Sequence, residues 1–146
     1  MINNVKIRMV KERDIDQIYK IGMATKAFSV SKKVRFYSKR ELRKIIKSKN
    51  NFIMIIAEKN SRVIGFILFR ATVDYAYIDN IAIIPEFRHK GIVTLLIKKC
   101  IDIIKRYKIT YIFTSVRLDY QKPKRFWKKM GFREGYKFIW MEKFLR

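Results

Sequence analysis

Apolar residues along this chain recur with two different periods, and the switches between them divide it into short elements. Val5–Val10 alternates like an opening strand. Ile15, Ile18 and Ile21 then fall on one helical face behind Asp14, a residue type that suits a helix cap. The pattern predicts strands over 5–10, 52–58, 62–73, 75–84, 109–116 and 136–144, and helices over 14–27, 39–49, 91–106 and 122–130. Ser38-Lys39-Arg40-Glu41 has the spacing of a capping box at the start of the second helix. Asn60-Ser61 suits a hairpin turn, and the short link around Asp74 predicts another. Hairpins mixed with strand–helix–strand crossovers imply an α/β fold with a mixed sheet. Repeats, low-complexity stretches and linkers are not evident.

One junction stands out. The apolar run Ile81–Ile84 ends at Pro85, and a basic loop with Arg88, His89, Lys90 and Gly91 follows. Ile92, Leu95, Leu96, Ile101 and Ile104 then recur at helical spacing. A helix opening at a glycine aims several backbone N–H groups and the positive end of its dipole at one spot. Such a turn can hold a phosphate, with the basic side chains adding attraction at longer range. An ordinary strand-to-helix turn with solvated basic residues would read the same way in isolation.

The wider sequence separates the two readings. Ile81-Ala82-Ile83, Pro85 and Arg88-His89-Lys90-Gly91-Ile92-Val93 together resemble the acetyl-coenzyme A signature of GNAT-type N-acetyltransferases. In that signature an apolar triplet on the fourth strand precedes Arg/Gln-x-x-Gly-x-Gly/Ala, and Val93 stands where the small last residue is usual. Phe126-Trp127-Lys128-Lys129-Met130-Gly131-Phe132 is similar to the family's last-helix segment, and the opening strand and helix also match in order. The resemblance implies a GNAT fold occupying residues 1–146 as a single domain, with a mixed sheet of about six to seven strands and about four helices. It also implies acetyl-CoA as cosubstrate, contacted by Ile81, Ala82, Ile83, Arg88, His89, Lys90, Gly91, Ile92, Val93, Thr94, Trp127 and Lys129.

Composition narrows the setting. With 146 residues, nearly half of them hydrophobic, the chain can bury about two-thirds of its unfolded surface. Its longest apolar runs, such as Phe52–Ala57, are too short to span a bilayer, and Met1-Ile2-Asn3-Asn4 does not start a secretory signal. A single cysteine, Cys100, and a single histidine argue against disulfides and metal clusters. A cytoplasmic, metal-free protein without membrane contact is expected.

The net charge of +23 changes the expected partners. An AT-rich codon bias accounts for abundant Ile, Lys, Asn, Tyr and Phe but leaves the scarcity of acids unexplained. Residues 26–49 hold ten Lys/Arg against one acid, with Phe28, Phe36 and Tyr37 interleaved. In the GNAT family this segment walls the acceptor site. A basic wall suits an acidic protein, a nucleotide or RNA better than a polyamine, although solvated surface charge explains the cluster equally well.

The resemblance is weakest at the catalytic positions. Ser115 and Tyr77 stand where the family often carries a glutamate base, and Trp127 stands where it often carries a tyrosine acid. Strand alternation puts Tyr77, Asp79, Ile81 and Ile83 on one face, making Asp79 the candidate base, with a partner for a surface cation as the competing reading. Tyr120 and Tyr136 are candidate proton donors to the leaving thiolate. Two functions are therefore expected: an N-acetyltransferase acting on an unidentified amine, or a GNAT-fold module that has lost catalysis and binds nucleic acid or acts as a regulatory or interaction protein.

Overall fold

The computed structural model describes residues 3–47 and 51–145. In chain order the elements are β1 (Lys6–Met9), α1 (Ile15–Ala24), α2 (Lys39–Lys47), β2 (Phe52–Lys59), β3 (Arg62–Ala71), β4 (Ala76–Ile83), α3 (Ile92–Arg106), β5 (Ile112–Thr114) and α4 (Gln121–Lys129). The strands form one sheet in the order β1-β2-β3-β4-β5. The first four are antiparallel, and β5 joins β4 in parallel after the α3 crossover.

Local chemistry explains most boundaries. Asn60 and Ser61 both have positive φ, as a two-residue turn between right-twisted strands requires, and Lys59 pairs Arg62 across it. The capping box forms as expected, since the Glu41 N–H donates to Ser38 Oγ (3.1 Å) and the Ser38 N–H to Glu41 Oε2 (2.8 Å). Residues 48 and 49, the expected end of the second helix, lie outside the described residues. The first helix stops at Ala24 rather than at residue 27. The Thr25 hydroxyl donates to the Ile21 carbonyl at 2.8 Å, Thr25 is extended, and a single 3-10 turn (Lys26–Phe28) follows.

Asp14 precedes α1 but does not cap it with its side chain. Its carboxylate accepts both Arg8 guanidinium nitrogens at 2.9 Å and the Lys11 N–H at 2.7 Å. Arg8 also reaches Glu58 at 2.9 Å, so a nearly sealed ion cluster ties β1, β2 and the entry to α1 together.

The core lies on both sides of the central strands. Every residue of β3 from Val63 to Phe69 is buried. Phe28 and Phe36, from the segment joining α1 and α2, close over Phe66 with ring centroids 6.2 and 5.8 Å away. The opposite face is left for α3, which contacts β2, β3 and β4 and buries Ile92, Leu96, Ile97, Cys100 and Ile104. Two glycines permit close approaches. A Cβ on Gly22 would overlap the Phe36 ring, and one on Gly65 would overlap Ile83 and the Ala82 carbonyl.

Two expectations about the strands are corrected. Five strands are present among the described residues rather than six to seven, because 136–144 forms no strand. β5 covers only Ile112–Thr114 instead of 109–116, since its pairing with β4 ends at Ile78 opposite Thr114. At the next residue β4 changes direction.

Candidate active site

That change of direction is a β-bulge. Phe69 opposes Ile78 and Leu68 opposes Asn80, which leaves Asp79 as the extra residue of β4. The bulge inverts the expected alternation. Tyr77, paired with Arg70, lies on the side of Asn80 and Ala82, while Ile81 and Ile83 turn to the other face. The expectation that 77, 79, 81 and 83 share one face therefore fails beyond Asp79. The β4–β5 ladder ends at the same place, so past Ile78 the β5 side of β4 has no neighbouring strand among the described residues. Thr114 marks the fork, its hydroxyl donating to the Ile78 carbonyl at 2.9 Å.

Asp79 is mostly buried at this fork, where Arg70 holds it through Nε–Oδ2 (3.1 Å) and Nη2–Oδ1 (2.9 Å). The guanidinium also lies over the Tyr77 and Phe52 rings, 5.0 and 5.4 Å from their centroids. Burial pushes the Asp79 carboxyl above the usual carboxylate range, against the opposing pull of Arg70. Burial, with the Asp79 charge, pushes nearby Tyr37 up to about 12. The Tyr77 hydroxyl donates to Ser115 Oγ at 3.1 Å. Arg70 and Tyr37 were missed in the sequence. A charged residue ending an apolar strand, opposite Tyr77 across a short hairpin, is the signal that marks Arg70.

β4 leads into the anion-site candidate. Pro85–Phe87 forms a 3-10 turn, His89 has φ of 61°, and Gly91 caps α3 with φ of 82°. Only glycine takes that conformation freely, and a Cβ at Gly91 would meet nothing within 4 Å, so the space before the helix is open. The first helical bond runs from the Leu95 N–H to the Gly91 carbonyl (3.2 Å). The amides of Ile92, Val93 and Thr94 therefore have no acceptor in the helix, and no side chain caps it. The donor set fits an anion such as a pyrophosphate.

The other candidate residues divide by position. Ala82 and Ile83 are buried and Ile81 half-buried. Arg88 Nε turns back to the Ile83 carbonyl (3.0 Å), fixing the end of β4, while the exposed Lys90 lies 5.8 Å from the Phe87 ring centre. Thr94 Oγ1 faces Met130 Sδ at 4.0 Å, bringing α4 to the start of α3. Trp127 is buried in edge contact with Phe126 and Phe132, and Lys129 is exposed. Tyr120 belongs to a separate cluster under Arg117, which also bonds Asp119 and the Ser29 carbonyl. Cys100 is buried, and burial pushes its thiol up to about 12. No group of residues suited to hold a metal and no membrane-spanning helix occurs among the described residues.

Comparison with known proteins bears on the fold and the family. Over 135 residues the chain is 25% identical to a Bacillus subtilis (strain 168) protein assigned to alanine N-acetylation of ribosomal protein bS18, covering 92% of this chain and 85% of that one. Its fold is similar to an aminoglycoside acetyltransferase from an uncultured soil metagenomic sample, with a TM-score of 0.77, 16% identity and 99% and 98% of the two chains covered. It is also similar to the ribosomal-protein-S18-alanine N-acetyltransferase from Escherichia coli, with a TM-score of 0.73, 17% identity and 90% and 79% covered. The family model for acetyltransferase (GNAT) proteins matches residues 15–132, and the chain belongs to that family.

Proposed function

We propose that this protein is an acetyl-CoA-dependent N-acetyltransferase, acting as one domain on an amine of an acidic macromolecule or a nucleotide-bearing acceptor. The observation that carries the reading is the start of α3. Three amides without helical acceptors follow a left-handed glycine whose side-chain position is open space. Ile92, Val93 and Thr94 would hold the pyrophosphate, with Lys90 adding positive field and His89 lining the turn. The backbone at Ile81–Ile83 would align the pantetheine arm, and Trp127 and Lys129 would support α4 beside it. When bound, acetyl-CoA supplies the thioester carbonyl that an amine attacks.

Asp79 is the proposed base, at the fork where the acetyl group would lie. Its raised proton affinity favours accepting a proton from the amine, and Arg70 keeps the carboxylate oriented. Tyr120 is the proposed proton donor to the thiolate.

Charge supports the acceptor class. Lys32, Arg35 and Arg117 surround an open hollow of about 460 Å³ with Ser29 and Ser31. A polycationic acceptor would be repelled by a chain of net charge +23. Phe28 and Phe36 pack against Phe66, so the aromatics of this segment serve the core and not base stacking.

The alternative, a weakened module that binds nucleic acid or another protein, is favoured by one observation: the Asp79 carboxylate is already engaged by Arg70. Incubating cell extract with isotope-labelled acetyl-CoA and the protein, followed by mass spectrometry, tests the choice. Label on a discrete amine is the expected result. No transfer despite acetyl-CoA binding would favour the alternative.

A further inference from the structure

Phe52, Arg70, Tyr77 and Phe113 stand directly opposite one another across β2, β3, β4 and β5, and their side chains form a continuous stack. The Arg70 guanidinium lies between the Phe52 and Tyr77 rings, and Tyr77 stacks on Phe113 with centroids 4.9 Å apart and planes at 23°. Tyr111 continues the stack beyond Phe113 at 5.6 Å and 25°, while Tyr75 leans on Phe113 at 5.4 Å and 45°. The Phe52 end packs against the core. The other end is open, with Tyr111 62% and Tyr75 42% exposed. Phe28 and Phe36 serve the core, but this stack keeps a free end.

Exposed aromatic side chains gathered at one place mark a contact surface, and the charge beside them indicates for what. Residues 103–117 run from the end of α3 through β5 and hold Lys105, Arg106, Lys108 and Arg117 but no acid. Lys105 and Arg106 close the last turn of α3, and Lys108, with φ of 60°, turns the chain toward Tyr111 three residues later. Lys105, Arg106 and Lys108 are all exposed, and none meets a carboxylate among the described residues. Tyr107 stands between them, 59% exposed. Asp74, at the tip of the β3–β4 hairpin, is the acid beside Tyr75.

We propose that this surface binds single-stranded RNA, a base continuing the ring stack over Tyr111 while Lys105, Arg106 and Lys108 hold the neighbouring phosphates. Every base has a π face, so stacking on an exposed ring needs no particular sequence, and cations interleaved with aromatics track the backbone. Unpaired bases are a regular feature of RNA loops and ends, whereas a duplex hides its base faces. An acidic peptide would satisfy the cations but leave the ring stack without a partner. The inference is independent of acetyl transfer and holds for the protein without acetyl-CoA.

Fluorescence anisotropy of a labelled oligouridine of about ten nucleotides, added to nuclease-treated full-length protein, tests this. Binding should saturate, exceed that of an RNA duplex of equal length, and weaken as salt rises. Tyr111→Trp should retain it. Tyr111→Leu keeps apolar area but no π face, and should weaken binding roughly 5- to 150-fold at an unchanged salt slope. Replacing Lys105, Arg106 and Lys108 with Gln should instead flatten the slope of log affinity against log salt by about 2. The same exchange at the exposed Lys6, Lys11 and Arg13, on and just after β1 at the opposite edge of the sheet, should change the slope far less. Asp74→Asn should tighten binding. All these positions are exposed, and circular dichroism checks that each variant folds. Absence of binding, full binding by Tyr111→Leu, or an equal loss from both charge sets would overturn the proposal. So would tighter binding of the duplex or of a DNA strand of the same length.

Discussion

Arg70 and Asp79, nine residues apart on neighbouring strands, meet in a two-point ion pair at the bulge where β4 parts from β5. The bulge turns Asp79 toward the fork, and burial leaves its carboxyl holding protons more tightly than an ordinary aspartate. Arg70 opposes that shift. If Asp79 is the base, Asp79→Asn lowers turnover by roughly a hundredfold or more while acetyl-CoA binding persists. Arg70→Gln removes the opposing charge, so the acidic limb of the rate profile moves to higher pH. Steady-state kinetics from pH 5 to 9 measure both, and wild-type rates for Asp79→Asn would remove Asp79 from the mechanism.

The Arg8–Asp14–Glu58 cluster is predicted to make stability depend on acid. Asp14 and Glu58 hold their protons less tightly when folded because Arg8 donates to both, although burial of Asp14 opposes this. A carboxyl depressed on folding stabilises fully above its unfolded value near 4, and that contribution is lost as pH falls further. Arg8→Ala would leave a buried carboxylate without its partner and should cost about 3 kcal/mol or more near neutral pH. Urea unfolding at pH 7 and pH 3 measures the difference, which should shrink at the lower pH.

Gly22 lets α1 receive the Phe36 ring. Gly22→Ala should force the ring away and cost about 1–3 kcal/mol despite the better helix propensity of alanine. Thermal unfolding gives the sign. A stabilised variant would mean that the 26–37 segment is free to move off α1.

Charge around the α1–α2 segment should govern acceptor binding. With an acidic peptide or short RNA as probe, affinity should fall steeply with salt. Replacing Lys32, Lys33 and Arg35 with Gln should flatten that dependence without altering acetyl-CoA binding. An unchanged slope would make the charge a diffuse field.

The periods of the apolar residues were enough to place β1–β4 and all four helices, because each buries a face whose spacing is visible in one dimension. The Gly91 turn was legible for the same reason, since its glycine is demanded by local backbone geometry. What escaped depends on pairing between strands. A bulge at Asp79 has no mark in a pattern that simply alternates, and it alone reverses the faces of Ile81 and Ile83. The short β5 ends at the same place. The segment 136–144 has the composition of a strand, yet a strand also needs an edge to pair with, which composition does not reveal. Asp14 looked like a helix cap because its type and position are right, but Arg8, six residues earlier, is the stronger partner.

The start of α3 is the proposed anchor of the cofactor. A backbone amide NMR titration with acetyl-CoA tests it directly. The largest shifts should occur at Gly91, Ile92, Val93 and Thr94, with a second group along Asn80–Ile83, and Gly91→Ala should weaken binding at least tenfold. Saturable binding that leaves the 91–94 amides unmoved, or an absence of binding at millimolar acetyl-CoA, would contradict it.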